Sequence, residues 1–206
     1  MRNRPIPNLS EPDRAYAESL LVCADDEVLV FNKPSGLATQ TRGNIGRNLD
    51  HLLWAFAKSN GKRPRLVHRL DTGTSGVIIA ARTYPSAVNL SAQFEQRTAR
   101  KTYLAVVRWD ARSQRKGAIN APLATQTGRP PKVVVSEQGK SAQTEWSVLH
   151  RNEGAALLML KPQTGRMHQI RAHLAHIGAP IYGDAVYGGP DHSRLMLHAA
   201  SVEVRS

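Results

Sequence analysis

The 206-residue chain carries 28 Lys and Arg against 16 Asp and Glu, a net charge of +12 and a pI near 10.4. A balance this basic selects a polyanion as the natural partner. One cysteine, Cys23, excludes an internal disulfide and a multi-cysteine zinc site, no secretory signal opens the chain, and no apolar run approaches the roughly 18 residues of a membrane helix. These features set an expectation of a soluble, cytoplasmic protein with no membrane contact.

The charge is unevenly spread. Glu11, Asp13, Glu18, Asp25, Asp26 and Glu27 lie before residue 28, leaving residues 28–206 with 25 basic against 10 acidic groups, a net of +15. Between Phe94 and Lys116 the basic residues Arg97, Arg100, Lys101, Arg108, Arg112, Arg115 and Lys116 face only Glu95 and Asp110 in sequence. With three Trp, five Tyr and three Phe, a broad stacking platform is poorly supported, so backbone and shape contacts are expected to dominate.

In chain order, residues 1–14 are polar and hold Pro5, Pro7 and Pro12, which predicts a mobile arm. With no linker, repeat or low-complexity tract beyond it, residues 15–206 read as one catalytic-sized domain. Leu20 to Cys23 and Val28 to Asn32 predict two strands joined by a tight turn, and Gln40 to Arg47 a loop. Leu49, Leu52, Leu53 and Phe56 recur at helical spacing after a capping Asn48, predicting a helix that runs to Ser59. Val77 to Ala81 is a continuous apolar run, the mark of a strand covered on both faces. Ser86 is placed to cap a helix whose Ala87, Leu90 and Phe94 share one side. Strands follow at Lys101 to Trp109, Gln143 to His150 and Ala155 to Lys161, whereas residues 110–140, punctuated by glycine and proline, read as irregular. Thr164 to Gly178 reads as one helix with Met167, Ile170, Leu174 and Ile177 in a stripe and Arg171 at its shielded margin.

A shielded guanidinium needs an acidic partner, and Asp71 in VHRLDTGTSG is the most attractive candidate. An aspartate before Thr-Gly-Thr-Ser-Gly also serves as a plain turn-former, and Tyr103 as a core or edge aromatic, so both roles stay open on pattern alone. Other chemistries fail on spacing. Ser75-Gly76 is not a nucleophile elbow, His168, His173 and His176 are poorly spaced for a metal, no second acid accompanies Asp71, and no phosphate-cradling glycine loop occurs.

Four blocks in order, DDEVLVFNKPSGL at 25–37, HRLDTGTSG at 68–76, RKTYLAVV at 100–107 and TGRMHQIRAHLAHIGAPIYGDAVYG at 164–188, followed by RLMLHA, resemble the RluA-type pseudouridine synthases. The resemblance implies an α+β fold, a mixed, largely antiparallel central sheet flanked by helices with a central catalytic cleft. It also implies isomerisation of a uridine in ribosomal or transfer RNA to its C-glycoside, with no metal and no other cofactor. By the same resemblance Asp71 is the nucleophile, Tyr103 stacks on the flipped base and Arg171 orients Asp71, all three catalytic. His68, Arg69, Arg97, Arg100, Lys101, Arg166 and His168 are the expected RNA contacts. Relatives often carry an N-terminal RNA-binding module that this chain lacks, and they usually continue beyond Ser206, so the C-terminal edge reads as shortened and the protein as a monomer. Two readings compete: a non-catalytic RNA-binding or ribosome-assembly protein on the same scaffold, and an RNA-cleaving enzyme using His68 and His168.

Overall fold

A computed structural model describes residues 9–41, 46–110, 114–128 and 132–205. The fold is α+β with a mixed, mostly antiparallel sheet, and the chain divides into two compact units, Met1–Thr98 and Ala99–Ser206.

In the first unit helix α1 (Glu11–Ser19) starts at Ser10, whose hydroxyl accepts the Asp13 amide, with acidic Glu11 and Asp13 in the first turn where the helix dipole favours them. Residues 11–14 are therefore helical although the proline-rich composition reads as an arm; residues 1–8 of that arm lie outside the described residues. Strands β1 (Leu21–Ala24) and β2 (Val28–Lys33) pair antiparallel around Asp25, whose carboxylate accepts the amides of Glu27 and Val28, both at 2.7 Å. Those two bonds hold its carboxyl below the ordinary carboxylate range. Asn48 caps α2 (Leu49–Leu52) by accepting the His51 amide at 2.9 Å, but the helix tightens at once into a 3-10 turn, Leu53–Phe56, and stops short of Ser59.

After β3 (Arg65–Leu66) comes β4 (Ser75–Ala81), which pairs with both β2 and β3 and is buried on both faces, as its unbroken apolar run requires. Helix α3 (Tyr84–Glu95) begins three residues earlier than a cap at Ser86 predicts: Thr83 is the N-cap, and Ser86 completes a reciprocal capping box with it.

The second unit contains β5 (Arg100–Arg108), β6 (Lys116–Asn120), β7 (Leu123–Gln126), β8 (Lys132–Val135), β9 (Gln143–Asn152), β10 (Ala155–Pro162), α4 (Gln169–His176) and β11 (Leu197–Glu203). Five of its strands run in the order β11-β5-β10-β9-β6, and β7 and β8 form a separate hairpin. Three strands thus occupy the stretch read as irregular. Alternating inward residues of β5 and β10, Ala105, Val107, Leu158 and Leu160, bury against Ile170 and Leu174 of α4, and Trp109 meets Trp146 edge-on at 5.3 Å. A Cβ on Gly117 would lie 2.8 Å from the Trp146 ring, so the edge strand β6 needs glycine there.

Helix α4 spans eight residues, not the fifteen its apolar spacing predicts. His168 sits in the left-handed region at φ 52°, which separates the 164–168 turn from the helix, and Met167 is consequently 41% exposed instead of lying in the stripe.

Candidate active site

Asp71 is half-buried on the loop between β3 and β4, and the chain segment that follows β2 fixes that loop. Gly36 donates its amide to the Thr72 carbonyl at 2.9 Å, Ser35 its hydroxyl to Gly73 at 2.7 Å, and Thr39 its hydroxyl to Leu70 at 2.6 Å while accepting the Leu70 amide. Backbone carbonyls on both sides of Asp71 are thereby tied down. Gly36 adopts φ +89°, a conformation that glycine enters without the Cβ clash of other residues.

Lys33, at the end of β2, completes the clamp and was not singled out by sequence reasoning. It is fully buried, and its ammonium donates to the carbonyls of Leu37 at 2.7 Å, Pro34 at 3.0 Å and Thr72 at 3.3 Å. Burial pushes it down to about 8, partly opposed by the attraction of the Asp71 charge. The ammonium is close enough to feel the Asp71 charge, so a buried cation stands beside the loop that carries this carboxylate. The only sequence signal for Lys33 is its place directly before Pro34-Ser35-Gly36 in the first block.

His68, three residues before Asp71, stacks on Phe94 with ring centroids 4.3 Å apart, and its Nε2 accepts the Ile79 amide at 2.9 Å. That bond assigns the ring proton to Nδ1 and gives His68 a bracing role; its Nε2 lone pair is not available as a base for RNA cleavage. Arg69 and Arg97 are exposed, the latter at φ 61° just past α3, where a glycine is the usual occupant.

In the second unit Tyr103 lies half-buried on β5 beside half-buried Lys101 and exposed Arg100. Arg171 is buried, as its position at the stripe margin predicts. Its acidic partner within the unit is Asp184: Arg171 Nε and Nη2 donate to the two carboxylate oxygens at 2.7 Å each. A carboxylate thirteen residues away thus pairs with Arg171 inside its own unit, a partner that the sequence reading did not name. Tyr187 places its ring 5.0 Å from the same guanidinium and 5.2 Å from the Lys132 ammonium, and its hydroxyl lies 3.2 Å from His168 Nδ1. Arg166 donates to the Ser141 carbonyl at 3.3 Å. Among the described residues no group of three or more His, Cys, Asp and Glu is arranged to hold a metal, and no helix is long and apolar enough to cross a membrane.

A sequence model of the RNA pseudouridylate synthase family matches residues 27–176, which spans the Lys33 clamp, the Asp71 loop, Tyr103 and Arg171. The chain belongs to the RluA-type RNA pseudouridine synthases. It is 40% identical over 186 residues to the dual-specificity RNA pseudouridine synthase RluA of Yersinia pestis, covering 87% of this chain and 89% of that protein. The corresponding protein of Escherichia coli K12 is 37% identical over 205 residues, 97% of this chain and 91% of its own length. Among solved structures, human RNA pseudouridylate synthase domain containing 1 superposes with a TM-score of 0.75 at 27% identity, covering 98% of this chain and 80% of that one. The chain is accordingly an RNA pseudouridine synthase, an isomerase acting on RNA, and the non-catalytic and RNA-cleaving readings fall away.

Proposed function

We propose that this synthase converts a specific uridine of ribosomal or transfer RNA, or of both, to pseudouridine, with Asp71 as the nucleophile. The observation that carries the assignment is the fully buried Lys33 ammonium, clamped on three carbonyls and acting on Asp71. Asp71 attacks either the ribose anomeric carbon or a carbon of the uracil ring; the glycosidic bond from the anomeric carbon to N1 breaks, and the base turns. C5 then bonds to the anomeric carbon while the bond to the Asp71 oxygen breaks and regenerates the carboxylate; N1 takes up a proton from water and the C5 proton leaves to water. Atoms balance without an external reactant, so no cofactor or metal is invoked. Tyr103 is the aromatic face for the base and Arg171 the guanidinium that completes the site. Arg69, Arg97, Arg100, Lys101, Arg166 and His168 are proposed RNA contacts, consistent with the charge of the chain, and His68 supports the Asp71 loop. Phosphate contacts offset the few kcal/mol spent in extruding a base from its stack. The protein is proposed to act as a monomer in the cytoplasm.

The relatives named dual-specificity enzymes support testing both RNA classes. Tritium release from ribosomal and transfer RNA labelled at uracil C5 checks the substrate assignment. Release from either class supports it, and release confined to another RNA overturns it.

A further inference from the structure

Arg171 is held from within its own unit by one tight loop, residues 181–190. Its Nε and Nη2 form a two-pronged fork on Asp184, both arms at 2.7 Å, and the Tyr187 ring lies against the guanidinium with its centroid 5.0 Å from Cζ. Two parallel bonds fix the plane of a guanidinium as well as its distance, which a single contact to an ammonium cannot do. Asp184 is itself immobilised. It is 2% exposed, and its Oδ1 also accepts the amides of Val186 at 3.2 Å and Tyr187 at 3.3 Å. The loop is bent so sharply that Gly183, at φ +77°, would drive a Cβ into the Arg194 carbonyl, and a Cβ on Gly189 would overlap the Ile181 carbonyl. Tyr187 is anchored in turn, its hydroxyl accepting the Val133 amide of β8 at 3.0 Å.

A buried ion pair contributes little net stability, since desolvation offsets most of the attraction, whereas its geometry is strongly specified. We propose that Asp184 is a positioning residue of the isomerisation, setting the plane and depth of the Arg171 guanidinium while the Tyr187 ring supplies the face behind it. Asp184 acts through Arg171 and needs no contact with RNA. The assignment rests on the reading of Arg171 as part of the reaction.

The test compares Arg171→Lys, Asp184→Asn and the double variant in single-turnover tritium release, with RNA affinity measured by filter binding. A misplaced catalytic group costs on the order of 100-fold, so each single variant is expected to slow release about 100-fold while RNA affinity stays within about twofold of wild type. If Asp184 works only through Arg171, the double variant is no more than about twofold slower than the slower single variant. Full-rate release by Asp184→Asn beside a slow Arg171→Lys overturns the assignment, as do losses that multiply in the double variant. Where Asp184→Asn does not fold, Asp184→Glu keeps the charge but lengthens the arm. Slow release with normal RNA affinity then supports the proposal, and wild-type release refutes it. A wild type silent on every RNA tested overturns the isomerase reading beneath it and is recognised by that silence.

Discussion

Lys33 makes a pH signature that separates activity from stability. Its ammonium is fully buried and pushed from 10.5 down to about 8, a fall worth roughly 3 kcal/mol at about 1.4 kcal/mol per tenfold. The native state thus disfavours the charged form: this group's contribution to stability is full above pH 10.5 and lost as pH falls through about 8. Activity runs the other way if the Lys33 charge holds the Asp71 carboxylate in place. Around Lys33 the packed elements are β4, the 34–39 segment and the 68–74 loop, and the charge acting on it is that of Asp71, His68 being turned onto the Ile79 amide and Phe94. One pH unit above its pKa only about a tenth of the lysines stay protonated, so single-turnover release at pH 9 is expected about tenfold below its plateau. Over the same interval the share of the stability that Lys33 controls rises. In Lys33→Met the basic limb should vanish and the plateau should drop. A wild-type profile flat to pH 10, or an unchanged limb in Lys33→Met, refutes the reasoning.

Other perturbations follow from single contacts. Gly183→Ala combines a left-handed backbone with a Cβ 1.9 Å from the Arg194 carbonyl oxygen and should destabilise by several kcal/mol, read as a loss of urea midpoint. Arg97→Gly relieves an exposed residue at φ 61° past α3, raising stability by about 0.5 to 1 kcal/mol; if Arg97 meets phosphate, the salt slope of RNA binding falls by about 1. His173 is completely buried, its Nδ1 2.8 Å from the Thr144 hydroxyl and its Nε2 2.9 Å from the Ala121 carbonyl, and burial pushes it below the ordinary 6.5. Its neutral form therefore supports the fold above pH 6.5 and that support is lost as pH falls further, so the melting temperature should drop on acidification, and drop less in His173→Gln.

Much of this architecture can be read directly from local pattern. The unbroken run of β4 is buried on both faces, the Asn48 cap closes on His51, and Gly178 ends α4 at φ +73°. Local pattern failed where punctuation or long range decides. Gly117, Gly128, Pro130 and Pro131 read as loop, yet β6, β7 and β8 lie among them because pairing with β9 and within the β7–β8 hairpin supplies the hydrogen bonds. Apolar spacing continued the last helix back to Thr164, and only the left-handed turn at His168 breaks it. The Asp184 fork on Arg171 and the buried clamp of Lys33 depend on residues brought together by the fold, across thirteen positions for Asp184 and 39 for Thr72, so periodicity carries no trace of either.

The most direct test of the central claim replaces Asp71 by Asn, which keeps the size of the side chain and removes the nucleophilic charge. Tritium release from uracil-labelled ribosomal and transfer RNA should vanish while filter-binding affinity stays within about threefold of wild type. Release that persists in Asp71→Asn would contradict the assignment of Asp71 as the nucleophile.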